Sequence, residues 1–195
     1  MALELEAKFL EINPELIREK LRAVGATLVH PERLMKRKNF DFPDLRLSTM
    51  HNGWVRVRDE GDKVTVSYKQ VSNRELAGTQ EIEITANDYE SACDFLEAIG
   101  LKEKTYQETK REKWALGECE VTIDTWPWIP PVLEVEGPSE NDVREAVSRL
   151  GLAWSDAVHG DIAIAYRRHY DVDEQTIYRS GRFAFDAPCP WQKKQ

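Results

Sequence analysis

The hexapeptide Glu4-Leu5-Glu6-Ala7-Lys8-Phe9 sets two carboxylates and an ammonium at alternate positions. In a strand, successive side chains point to opposite faces, so Glu4, Glu6 and Lys8 share one surface while Leu5, Ala7 and Phe9 share the other. The acidic alternation returns in Glu81-Ile82-Glu83 and in Glu134-Val135-Glu136. Basic residues follow the same rule: Arg56, Arg58 and Lys69 fall on one face of a hairpin pattern, and Thr109, Arg111 and Lys113 on one face of a later segment. Glu120, Thr122 and Asp124 share a face in the segment after that. Guanidinium and ammonium groups clamp phosphate oxygens, Arg in bidentate fashion. Carboxylates are hard oxygen ligands for Mg²⁺ or Mn²⁺, ions that bridge the same phosphates. Together these residue types suit the handling of a phosphate chain with a divalent metal. Ordinary half-exposed strands alternate in the same way, polar side to water. What distinguishes these faces is their concentration of charge, with almost no Ser, Asn or Gln between.

The elements that must carry these residues follow from periodicity. Asn13-Pro14 starts a short helix with Leu16, Ile17, Leu21 and Val24 on one face and Gly25 as its stop. Leu34 to Phe42 is a strand, and its basic run Lys36-Arg37-Lys38 reads as a solvated stretch able to guard the mouth of a site. Gly53 to Arg58 and Val64 to Lys69 form a hairpin around Glu60-Gly61-Asp62, followed by a loop from Gln70 to Gly78. Asn87 caps a second helix with Tyr89, Ala92, Cys93, Leu96 and Ile99 buried, and Ser139 with Asp142 opens a third. Asp156 to Tyr170 is expected to be a helix with Val158, Ile162 and Tyr166 inward, and Arg179 to Gln195 a tail. Trp126 and Trp128, flanked by prolines, read as a packed loop, with stacking on a base or ring as the functional alternative. The fold class is α+β: an eight-stranded antiparallel closed barrel whose apolar outer surface is covered by helices, leaving no exposed apolar stripe, and whose ionic surface lines the lumen.

Composition narrows the function. A chain of 195 residues is most economically one domain with a sizeable core. A net charge of -8 argues against non-specific nucleic-acid binding. Cys93, Cys119 and Cys189 form no CxxC pair, which suits a reducing cytoplasm, and the histidines form no ligand spacing. Neither a signal peptide nor a run of about 18 apolar residues is evident, and no P-loop or GxGxxG occurs. The expected partner is a small molecule, with no nucleic acid and no membrane, bound by a monomer or homodimer.

Glu4-Leu5-Glu6-Ala7-Lys8 resembles the ExExK signature of the CYTH superfamily, the triphosphate tunnel metalloenzymes, which includes class IV adenylyl cyclases, thiamine triphosphatases and inorganic triphosphatases. The likeness continues through Arg56-Val57-Arg58, Lys69, Glu81-Ile82-Glu83, Arg111, Asp124 and Leu133-Glu134-Val135-Glu136, over roughly residues 1–170, leaving 171–195 as a C-terminal extension. The resemblance implies a triphosphate bound in the tunnel with Mg²⁺ or Mn²⁺. It implies Glu4, Glu6 and Glu136 as ligands of a first metal, with Glu134 and Asp124 nearby. Arg56, Arg58, Lys69 and Arg111 would clamp phosphate and Lys8 would complete the basic lining; the catalytic set would be Lys8, Glu81 and Glu83, with a second metal in hydrolytic members orienting the attacking water and Glu81 or Glu83 assisting. Many relatives have Lys-x-Arg in the strand of Arg111, whereas Thr109 stands here at the Lys position, with Lys113 as the candidate substitute. The expected activity is a metal-dependent triphosphatase; the alternatives are a class IV adenylyl cyclase and a non-catalytic triphosphate or polyphosphate binder.

Overall fold

The computed structural model describes residues 2–71 and 79–194, and the side chains of residues 5–71 and 80–194. Residues 72–78 of the expected loop lie outside the described residues. Along the chain come β1 (Ala2–Phe9), α1 (Pro14–Ala23), β2 (Thr27–Asp41), α2 (Arg46–His51), β3 (Gly53–Asp59), β4 (Val64–Val71), β5 (Thr79–Ala86) and α3 (Tyr89–Ala98). Then follow β6 (Lys102–Leu116), β7 (Cys119–Thr125), β8 (Val132–Gly137), α4 (Glu140–Arg149), a single 3-10 turn at Trp154–Asp156, α5 (Ala163–His169), α6 (Glu174–Arg179) and β9 (Arg182–Phe183).

The strands pair in the order β2-β3-β4-β5-β1-β8-β7-β6, and β6 pairs again with β2, so the sheet closes into a ring of eight antiparallel strands. Closure rests on the two longest strands, β2 and β6, which stay paired from Thr27 opposite Ala115 to Asp41 opposite Lys102. Helices lie outside. Alternation turns Ala7, Phe9, Trp114, Val121, Ile123 and Val135 outward, where they pack with Ile17 and Leu21 of α1 and Val143 and Val147 of α4. A second cluster joins Phe40 and Val57 to Ala92, Cys93 and Leu96 of α3.

The helix starts obey capping chemistry. Asn13 Oδ1 accepts from Leu16 N at 3.2 Å, and Ser139 Oγ accepts from Asp142 N at 3.2 Å. The α3 cap is Asp88 rather than the expected Asn87, accepting from Ser91 N at 2.7 Å. The helix expected from Asp156 to Tyr170 is interrupted instead. Val158 exchanges backbone hydrogen bonds with Lys8 at 2.9 and 3.0 Å, and Gly160 adopts φ +103°, a conformation no right-handed helix continues through. The expected tail packs as well: Phe183 pairs its strand with β6 and, with Trp191, surrounds Tyr166 and Trp128. Nor do the helices cover the whole outer surface, since Ile84 on β5 and Phe95 on α3 are 62% and 64% exposed. Among the described residues, no helix is long and apolar enough to cross a membrane.

Candidate active site

Strand register decides which charges meet in the lumen. On β1 and β8, Glu6 stands opposite Glu136 and Lys8 opposite Glu134. On β8 and β7, Glu136 faces Glu120 and Glu134 faces Thr122. Arg111 faces Asp124 across β6 and β7, and Lys69 faces Glu81 across β4 and β5. Period-two geometry and this register collect residues from distant parts of the chain on one concave surface.

The described side chains form ion-paired groups, and Glu134 joins those of Lys8 and Arg111. Lys8, only 3% exposed, pairs with Glu6 and lies 3.5 Å from Glu134 Oε1. Arg111 donates from Nε to Asp124 Oδ1 at 2.6 Å and from Nη2 to Glu134 Oε2 at 2.8 Å. Arg56 Nη2 lies 3.2 Å from Glu81 Oε1 and 3.7 Å from Glu83 Oε2, while Lys69 Nζ lies 3.5 Å from Glu81 Oε2. Arg58 turns away from Glu81 and Glu83 to Glu60, with Nε 2.9 Å from Oε1. Lys113 pairs with Glu120. Glu4 occupies β1 opposite Thr79, and its side chain lies outside those described.

Electrostatics separate the carboxylates. Burial would raise the Glu134 carboxyl, yet Lys8, Arg111, Lys69 and Arg37 outweigh it and hold the group down at about 2. Asp124 is fully buried, and burial pushes its carboxyl up despite the opposing Arg111. Burial would lower Arg111, but Asp124 and Glu134 more than compensate and raise it. Glu136, though its residue surface is largely exposed, has its carboxyl raised by partial desolvation and then by the neighbouring Glu6 and Glu120 carboxylates. Like charges directly opposite on adjacent strands repel, so the Glu6, Glu136 and Glu120 row suits a divalent cation, whose charge would relieve that repulsion. This oxygen-only donor set fits Mg²⁺ or Mn²⁺ chemically, although no group of three or more His, Cys, Asp or Glu side chains among the described residues is already drawn into a metal cage.

Two residues that sequence reasoning missed belong to this surface. Arg37, read as part of a solvated basic run, is buried, and its Nη2 donates to Thr109 Oγ1 at 2.5 Å. Its parity with Asn39, whose Nδ2 donates to Thr105 Oγ1 at 3.0 Å, was the available signal, hidden by the exposed Lys36 and half-buried Lys38 on either side. Thr109, at the position where the resemblance led to the expectation of Lys, therefore holds a guanidinium delivered from β2. Glu60, read as a turn residue, is buried between Arg58, Arg33 and Lys63. Trp126 and Trp128 pack as expected of a loop, Trp128 against Tyr166 and Phe183, and Trp126 over Arg37.

Three solved structures share this architecture. A candidate adenylate cyclase from Vibrio parahaemolyticus superposes with a TM-score of 0.72 at 14% identity, covering 85% of this chain and 98% of that one. The PH1012 protein from Pyrococcus horikoshii gives 0.66 at 21% identity, covering 80% and 94%. A candidate adenylyl cyclase from Hippeastrum, described as having a dominant triphosphatase activity, gives 0.60 at 13% identity, covering 92% and 97%. At these identities the likeness is one of fold. No curated protein matched the chain. The CYTH domain model matches residues 2–154, from the first acidic strand to the turn beyond α4, and the chain belongs to the CYTH family.

Proposed function

We propose that this protein is a divalent-metal-dependent triphosphatase that binds inorganic triphosphate or an organic triphosphate in the barrel lumen and releases the terminal phosphate. The observation that carries this reading is the lining: Lys8, Arg56, Lys69 and Arg111 are each held by carboxylates from other strands of the barrel, so cations and anions stand ready on one surface. The triphosphatase activity described for the Hippeastrum neighbour supports it.

Glu4, Glu6 and Glu136 would hold a first Mg²⁺ or Mn²⁺, with Glu134 and Asp124 beside them. When bound, the ion supplies charge neutralisation and Lewis acidity toward phosphate oxygens. Arg56, Lys69 and Arg111 exchange their internal carboxylates for phosphate oxygens, and Arg58 does so by leaving Glu60. Lys8, between Glu6 and Glu134, donates to the phosphate nearest β1, while Lys113 extends the basic lining on β6. Glu81 and Glu83, released by Arg56, orient the attacking water and accept its proton as it adds in line to the terminal phosphorus.

The test is a panel of inorganic triphosphate, thiamine triphosphate and ATP, each with Mg²⁺ and with Mn²⁺, read by orthophosphate release. Glu4→Gln and Arg56→Ala should each lower kcat by about 10²–10³-fold with the fold intact. A Glu4→Gln protein that hydrolyses at the parent rate refutes the assignment. The Vibrio parahaemolyticus neighbour favours a second reading, an adenylyl cyclase in which the ribose 3′-hydroxyl attacks and pyrophosphate leaves. Chromatography of the products from ATP separates the two, as cyclic AMP with pyrophosphate or as orthophosphate.

A further inference from the structure

One lumen cation has no task in the proposal above. Arg37 is 6% exposed and stands opposite Arg58 on β3 and Gln107 on β6. Its partners among the described residues are the Thr109 hydroxyl and the face of Trp126, whose ring centroid is 4.7 Å from the guanidinium carbon. No described carboxylate lies within ion-pair distance, and its buried Nε has no hydrogen-bond partner. Arg111, Arg58 and Lys113, by contrast, each have a carboxylate in contact.

A buried charge without a counter-ion is costly, and the structure must recover that cost somewhere. Burial and then Arg58, Arg56 and Arg111 disfavour the charged form of Arg37, and the Asp124 carboxylate, out of contact, opposes them only in part. A guanidinium keeps its proton in proteins, so these neighbours define a point of positive potential rather than a neutral arginine. Two hydroxyls elsewhere in the barrel are also buried and unpartnered: Ser67, opposite Arg56, and Thr122, opposite Glu134. Thr109 and Trp126 hold the planar fork from two sides, and Nε, enclosed and without a partner, is a donor still to be satisfied.

We propose that Arg37 is a phosphate-binding residue of the lumen, fixed by Thr109 and Trp126 and supplied with its counter-ion by a phosphoryl group of a linear triphosphate. This rests on the triphosphate reading of the lumen. Its distinctive consequence is that the unliganded protein carries a destabilising charge which the ligand relieves.

The test uses the full chain and calorimetric titration with inorganic tripolyphosphate and with orthophosphate, with and without Mg²⁺, alongside thermal midpoints. Arg37→Met should weaken tripolyphosphate binding roughly 10–100-fold, while the ligand-free midpoint stays level or rises and the ligand-induced rise in midpoint shrinks. Arg37→Met with Thr109→Lys, which returns a cation to the same spot, should recover part of the affinity. If Arg37→Met does not fold, Arg37→Lys decides: the fork is lost and the charge kept, so affinity should fall several-fold at an unchanged midpoint. Tripolyphosphate binding at wild-type strength by the folded variant overturns the proposal and leaves the triphosphate reading standing. A wild-type protein that binds orthophosphate but not tripolyphosphate, or neither, overturns both.

Discussion

Glu60 ties down the cationic wall at one side of the lumen. Its carboxylate meets Arg58, accepts from Thr65 Oγ1 at 3.3 Å and lies 3.8 Å from Lys63. Burial would raise this carboxyl, but Arg58, Lys63 and Arg56 outweigh burial and lower it. A carboxyl whose folded value is lowered stabilises the protein above its unfolded value of about 4.3, and the contribution is lost as pH falls through the folded value. Glu60→Gln should therefore cost about 2 kcal/mol near neutrality, and its stability curve should converge with that of the parent in acid. Urea melts at several pH values across that window check both the loss and the convergence. At this scale the lining was legible wherever charge alternated with Val or Ile, as in Arg56-Val57-Arg58 and Glu134-Val135-Glu136. Arg37 and Glu60 were not, because burial at those positions comes from the partner strand β6 and from the β3–β4 turn, not from any local contrast in polarity.

The helices and turns set where those strands can stop. Gly137, the last residue of β8, shows how tightly α4 is seated: a Cβ there would lie 2.7 Å from Cys119 Sγ and 3.1 Å from Val143 Cγ2. Gly137→Ala should destabilise the protein by about 1–3 kcal/mol through overpacking beneath α4, read as a lowered thermal midpoint. Because Gly137 follows Glu136, the same variant should weaken Mn²⁺ binding by displacing that carboxylate. Local chemistry announced α1 and α4, since Asn13 and Ser139 stand directly before an apolar repeat. It did not announce α2, whose N-terminal amides at Leu47 and Ser48 are capped by Asp41 from the end of β2, at 2.9 and 3.0 Å. A cap supplied from the preceding strand has no sequence-local signature.

Over the whole molecule, ring closure and the C-terminal segment depend on contacts between distant parts of the chain. Strand number and facing could be read from alternation, but not that β1 lies between β5 and β8, or that β2 seals against β6. The last residues were misjudged because β9 is two residues long and its anchors, Phe183 and Trp191, are single aromatics in a polar stretch. They complete the cluster around Tyr166, so truncation after Asp171 should strip a core face. The expected result is a drop in soluble yield and a loss of stability exceeding about 3 kcal/mol, measured by denaturant melts. The pairing of Lys8, Arg56 and Arg111 with lumen carboxylates has a further consequence. The interior is a mixed-bed ion exchanger, loaded with itself. A polyanion that displaces the carboxylates leaves them free for a divalent cation, and a cation that takes the carboxylates first loosens the arginines for the polyanion. On the proposed function, each solute would strengthen uptake of the other by the same factor, and a neutral solute of the same size would have nothing to exchange.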